Sequence, residues 1–141
     1  MPNPPFASTF IALALIPVAF LFLHAFLSGW NRWRYHKVTG AFAITWDLAM
    51  SIGYMLFRSF GGTVGGSQLK ITGGLRAYFI VHGTMAATVM VLEITVLVLG
   101  VMLSRGMRFG QWHGKLSKVL FPLWWVAFLT GELFYLTYYV L

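Results

Sequence analysis

Along the chain, apolar residues gather into four long runs separated by short polar stretches. The runs are Thr9–Trp30, Val38–Phe57, Leu75–Leu103 and Leu116–Leu141 (9–30, 38–57, 75–103 and 116–141). Each reaches the length of about 20 residues that a helix needs to cross the hydrocarbon core of a bilayer. Pro17 and Pro122 are tolerable in membrane helices and are expected to kink or start theirs. The connections read "NRWRYHK", "SFGGTVGGSQLKITGG" and "SRGMRFGQWHGK". Short first and third loops favour antiparallel neighbours. The expected fold is therefore an all-α integral membrane protein, an up-down bundle of four transmembrane helices forming one domain over 1–141.

Composition agrees. The chain is 59% hydrophobic and 9% charged, with a mean hydropathy of +0.78, whereas soluble domains carry about 25% charged residues. A net charge of +7 would suggest nucleic acid in a soluble protein. In this setting it reads as orientation and contact with anionic lipid, so neither nucleic acid nor a soluble substrate is expected. Arg32, Arg34, Lys37, Arg105, Arg108, Lys115 and Lys118 lie in or beside loops one and three, against Arg58, Lys70 and Arg76 on the other side. That bias predicts a prokaryotic-type plasma membrane protein with loops 31–37 and 104–115 cytoplasmic and both termini outside. The first run lacks a basic lead-in and a small-residue cleavage site, so it reads as a retained span.

The absence of cysteine excludes disulfides, thiolate metal sites, iron–sulfur clusters and c-type haem attachment. The six glycines of the middle connection form neither a GxxxxGK[ST] nor a GxGxxG pattern, which leaves a surface connection rather than a phosphate cradle. No Ser-His-Asp set, HExxH motif or catalytic carboxylate pair is present. An enzyme is not expected.

The polar residues inside the runs carry what chemistry there is. In "HGTMAATVMVLE", His82 and Glu93 are eleven residues apart, which on a helix puts them on one face but about 16 Å apart along the axis. All three acids, Asp47, Glu93 and Glu132, fall within spans, where an ionisable group is expensive unless it meets a partner. Counting from the ends puts Asp47 and Glu93 near the midplane. Two clusters follow. An inner one has His36 and His113 at the cytoplasmic boundary, with His24 above and Asp47 and Glu93 deeper. An outer one has His82 with Glu132 and Arg58 or Arg76.

Neutral imidazole is the commonest metal ligand, and two histidines from facing helices can ligate haem iron axially. The candidate cofactor residues are therefore His36, His82, His113 and His24, with His36 and His113 also the candidate metal ligands. Haem is the first candidate cofactor, copper the second, and a cofactor-free bundle the alternative. The bland readings stay open: boundary histidines bonded to lipid or loop carbonyls, close packing around Gly83 and Ala87, and an Arg58–Glu132 ion pair. Asp47 and Glu93 would serve as a proton relay or as acids sharing a proton. A faint internal echo is also visible. "YHKVTGAFAITWDLAMSIGY" and "WHGKLSKVLFPLWWVAFLTGELFY" both open with aromatic-His and reach a glycine 17 or 18 residues after it, as two hairpins of similar design would.

"GGLRAYFIVHGTMA", followed by "WHGKLSKVLFPLWWVAFLTGELFYLTYYVL", resembles the small four-helix membrane proteins grouped as domain of unknown function number 420. The shared pattern is a histidine after helix one (His36), a G-x-x-R-x-Y-x-x-x-H entry to helix three (Gly73 or Gly74 with Arg76, Tyr78 and His82) and a histidine before helix four (His113). Pro122 with Trp124 and the Thr130-Gly131…Tyr135 ending complete it. Where that family tends to have a histidine near the outer end of helix two, this chain has Arg58. The resemblance implies an accessory or maturation factor of haem–copper terminal oxidases, working with other subunits of a respiratory complex. The competing reading is a cofactor-free structural subunit that packs through aromatic-rich faces such as "PLWWVAF". A b-type cytochrome and a proton carrier rank behind these.

Overall fold

The computed structural model describes residues 4–60 and 72–141. Among them the chain forms four long helices: α1 (Phe6–Trp30), α2 (His36–Ser59), α3 (Gly73–Ser104) and α4 (His113–Tyr135). A single 3₁₀ turn, Arg108–Trp112, precedes α4, and a π-turn over Leu136–Val140 follows it. Most of the glycine-rich connection, with Lys70, lies outside the described residues. All four helical segments are long and apolar enough to cross a membrane. The protein is an all-α membrane four-helix bundle.

The helices begin earlier than the apolar runs. α2 starts at His36 rather than Val38, and α4 at His113 rather than Leu116. Backbone bonding simply continues through the polar residues, with Thr39 N–H on the Tyr35 carbonyl at 3.0 Å. The consequence is functional: both histidines ride on the first turn of a rigid element instead of on a loop. Among the described residues none of the four helices has a side-chain cap at its N-terminus, which suits ends that emerge among water and headgroups.

Helices pack in a ring, α1 against α2 and α4, and α3 against α2 and α4. Two hairpins, α1–α2 and α3–α4, thus stand side by side. The connecting turns of both lie at one end, the turn end; both chain termini lie at the other, the terminal end. A narrow core runs between them, built from Val18 and Phe22 on α1, Ile44 on α2, Val89 and Val96 on α3, and Leu120 and Trp124 on α4. Large apolar side chains such as Phe20, Leu56, Val91 and Leu133 stay exposed, as a surface bathed in lipid tails allows. At the turn end Lys115 lies over Trp112 at 4.5 Å and Lys118 over Trp30 at 5.0 Å. Cation and aromatic side by side mark a membrane–water boundary there.

Candidate functional site

Both hairpins reverse direction in the same way. α1 closes with Arg32 in the left-handed region, φ 56°, and the Trp33 N–H on the Ser28 carbonyl at 2.7 Å. α3 closes with Gly106, φ 72°, and the Met107 N–H on the Met102 carbonyl at 2.9 Å. Such endings satisfy the last carbonyls of a helix and turn the chain sharply. In each hairpin a histidine then opens the next helix.

What the two histidines do is also the same. His36 Nδ1 bonds to the Ala25 carbonyl at 2.8 Å, and its ring lies on Gly29, where a Cβ would stand 2.7 Å from Cε1. His113 Nδ1 bonds to the Val96 carbonyl at 2.9 Å, and its ring lies on Gly100, where a Cβ would stand 3.0 Å from Cε1. The accepting carbonyl sits one helical turn before the glycine in both cases. Each glycine is a notch through which an imidazole reaches the backbone of the neighbouring helix. A carbonyl can only accept, so Nδ1 carries a proton, and in the neutral ring Nε2 is the nitrogen that keeps its lone pair. The two rings meet between the hairpins with centroids 5.9 Å apart and planes at 70°.

The other two histidines are pinned in the same tautomer but stand elsewhere. His24 Nδ1 lies 3.1 Å from the Thr39 hydroxyl, which itself donates to the Tyr35 carbonyl; Nδ1 is therefore the donor. The His24 ring packs on Trp33 at 5.8 Å. His82, in the terminal half, lies 3.0 Å from the Thr130 hydroxyl, which donates to the Val126 carbonyl. Tyr78 donates to the Thr130 carbonyl at 2.5 Å, so α3 and α4 are tied together at this level. Among the described residues no three histidine, aspartate or glutamate side chains gather as a metal-holding group. The structure brings His36 and His113 together; His24 and His82 remain separate.

The acids divide between two levels. Asp47 on α2 meets Glu93 on α3 at mid-depth, beside the Trp124 indole. That contact falls short of hydrogen-bond geometry, since neither Glu93 oxygen has a hydrogen-bond partner among the described residues. Glu132 and Arg58 line the same cavity as Asp47 and His82, and the Arg58 guanidinium stands over the Tyr54 ring at 5.9 Å.

Chemically, His36 and His113 as neutral imidazoles would present two Nε2 lone pairs, each ring oriented through a backbone carbonyl behind it. Metal-bound histidines nearly always have such a support on the other nitrogen. Imidazole suits copper and iron alike, and haem iron accepts two axial histidines. The donor set therefore fits either group. Gly29 and Gly100, which create the notches, were not singled out from the sequence. The available signal was a glycine near the end of one membrane helix followed by a histidine opening the next.

These features define a class: a small all-α membrane bundle of two like hairpins with a histidine pair at their turns. No protein-family model, curated protein or solved structure matches this chain.

Proposed function

We propose that this protein is an accessory or maturation subunit of a haem–copper-oxidase-type respiratory complex, holding a copper ion or a haem iron between His36 and His113. One observation carries this reading: two hairpins of like design deliver two imidazoles, 5.9 Å apart, in the tautomer that leaves Nε2 free. Copper would be cargo for a partner subunit, and haem would supply one-electron chemistry. The chain's own part is to fix the ring orientation and keep the site at the end of the bundle, where a partner reaches it. The basic residues around both turns support a reading in which that end faces the cytoplasm of a prokaryotic-type plasma membrane and both termini lie outside. The apolar outer faces suit lipid and neighbouring membrane subunits.

The test is deletion of the gene in its native host, followed by measurement of oxidase haem and copper content and by affinity capture of the tagged chain. A maturation factor leaves an oxidase deficient in one cofactor and captures oxidase subunits. Normal oxidase cofactor content with capture of an unrelated complex would replace this reading by that of a cofactor-free structural subunit.

A further inference from the structure

The correspondence that matches Gly29 with Gly100 and His36 with His113 also matches Phe22 with Glu93 and Asp47 with Trp124. At mid-depth the two halves of the bundle therefore fill equivalent positions with different chemistry. Between α1 and α4, Phe22 and Trp124 stack face to face, 4.3 Å between centroids and 9° between planes. Between α2 and α3, at the twin position, Asp47 meets Glu93. A fold that closes one half with a stacked aromatic pair has no packing need for two carboxyls in the other.

Their surroundings make the acids costly. Glu93 is 0% exposed and Asp47 4%, and among the described residues both Glu93 oxygens lack a hydrogen-bond partner. An unpaired charge at such depth is expensive, and two adjoining charges of one sign are more so. Asp47 and Trp124 form the floor of a cavity of about 350 Å³ that extends to Arg58, Glu132 and Tyr139 in the terminal half. One turn toward the histidines, Ala43, Val96 and Leu120 are buried and apolar, and they close that side. The ionisable groups that share the cavity are Tyr54 and Arg58 on α2, His82 on α3, and Glu132, Tyr135 and Tyr139 around α4; α1 contributes Ser8.

We propose that the Asp47–Glu93 pair is a proton-binding site filled from the terminal end of the bundle, Asp47 exchanging with the cavity and Glu93 sealed behind it. A hydronium ion in the cavity gives its proton to an Asp47 carboxylate oxygen: one hydronium O–H breaks, the Asp47 O–H forms and a water molecule is left. When the two carboxyls close to hydrogen-bond distance the proton passes to Glu93, the Asp47 O–H breaking as the Glu93 O–H forms. No electron moves, and the pair is left with one proton and one negative charge. This site does not depend on the histidine pair.

Infrared spectroscopy of the full chain in lipid tests it. The wild type shows a carboxylic-acid carbonyl band at neutral pH that shifts on transfer to D2O. The double variant Asp47→Asn/Glu93→Gln, nearly isosteric and checked for folding by circular dichroism, loses that band, while Glu132→Gln keeps it. Persistence of the band in the double variant, or its absence from the wild type, overturns the site. Gly83 lines the cavity and has open space where a Cβ would go. Gly83→Leu therefore slows the deuterium shift at least tenfold, and an unchanged exchange rate overturns the route.

Discussion

The two hairpins agree at one end and diverge toward the other. At the turn end both have a left-handed closing residue, a histidine on the first turn of the following helix, and a glycine notch with a carbonyl behind it. The loops differ in length: hairpin two inserts the 3₁₀ turn Arg108–Trp112, yet His113 still finds its notch. At mid-depth one half holds Phe22 on Trp124 and the other Asp47 against Glu93. In the terminal half, hairpin one closes with Ser8 on Tyr54 at 3.0 Å, hairpin two with His82 and Tyr78 on Thr130. Identity of local geometry despite different loops shows that the histidine end is specified residue by residue. Divergence elsewhere shows where the fold leaves freedom, and the acids occupy that freedom.

Breaking the aromatic half has the largest effect. Trp124 is 2% exposed and stacks on both Phe22 and Phe128. Trp124→Ala should destabilise by about 3–5 kcal/mol, read as a lowered unfolding midpoint in detergent. The twin position should respond the opposite way. Asp47→Leu with Glu93→Met removes a buried polar pair and should leave stability unchanged or raise it by about 1–4 kcal/mol. A loss as large as that of Trp124→Ala would mean the acids serve packing.

Smaller effects sharpen the comparison at the turns. A methyl group at Gly29 meets His36 Cε1 at 2.7 Å, and one at Gly100 meets His113 Cε1 at 3.0 Å. Each alanine should weaken metal or haem retention by about tenfold or more, with Gly29→Ala the worse, since displacing a ligand's support costs about 10–100-fold. Titrating the metal into the purified variants measures this. Smallest of all, Arg32 adopts in hairpin one the left-handed conformation that Gly106 adopts in hairpin two. Arg32→Gly should stabilise by about 1 kcal/mol and Gly106→Ala should destabilise by a similar amount, both read by thermal unfolding.

Much of the fold was legible because the bilayer imposes a length: four apolar runs of sufficient span leave few alternatives. The depth of Asp47 and Glu93 followed from counting helical rise, and the structure puts the two in contact. Other features were not legible. Apolar runs cannot show that α2 and α4 begin on their histidines, since hydropathy drops at the interface before the helix does. The glycine notches were hidden among other glycines, because a glycine in a membrane helix serves close packing as readily as a ring. The match of Phe22 to Glu93 emerged only after the notches aligned the hairpins. The sequence echo compared α2 with α4 alone and so missed half of the repeat.

The central claim is that His36 and His113 act as one site. The measurement that tests it most directly is metal analysis with oxidised and reduced absorption spectra of the detergent-purified chain, alongside His36→Ala, His113→Ala and His24→Ala. The account predicts about one copper or haem iron per wild-type chain, lost equally in the first two variants and retained in the third. Wild-type protein that takes up neither metal nor haem, or loading that survives both His36→Ala and His113→Ala, would contradict it.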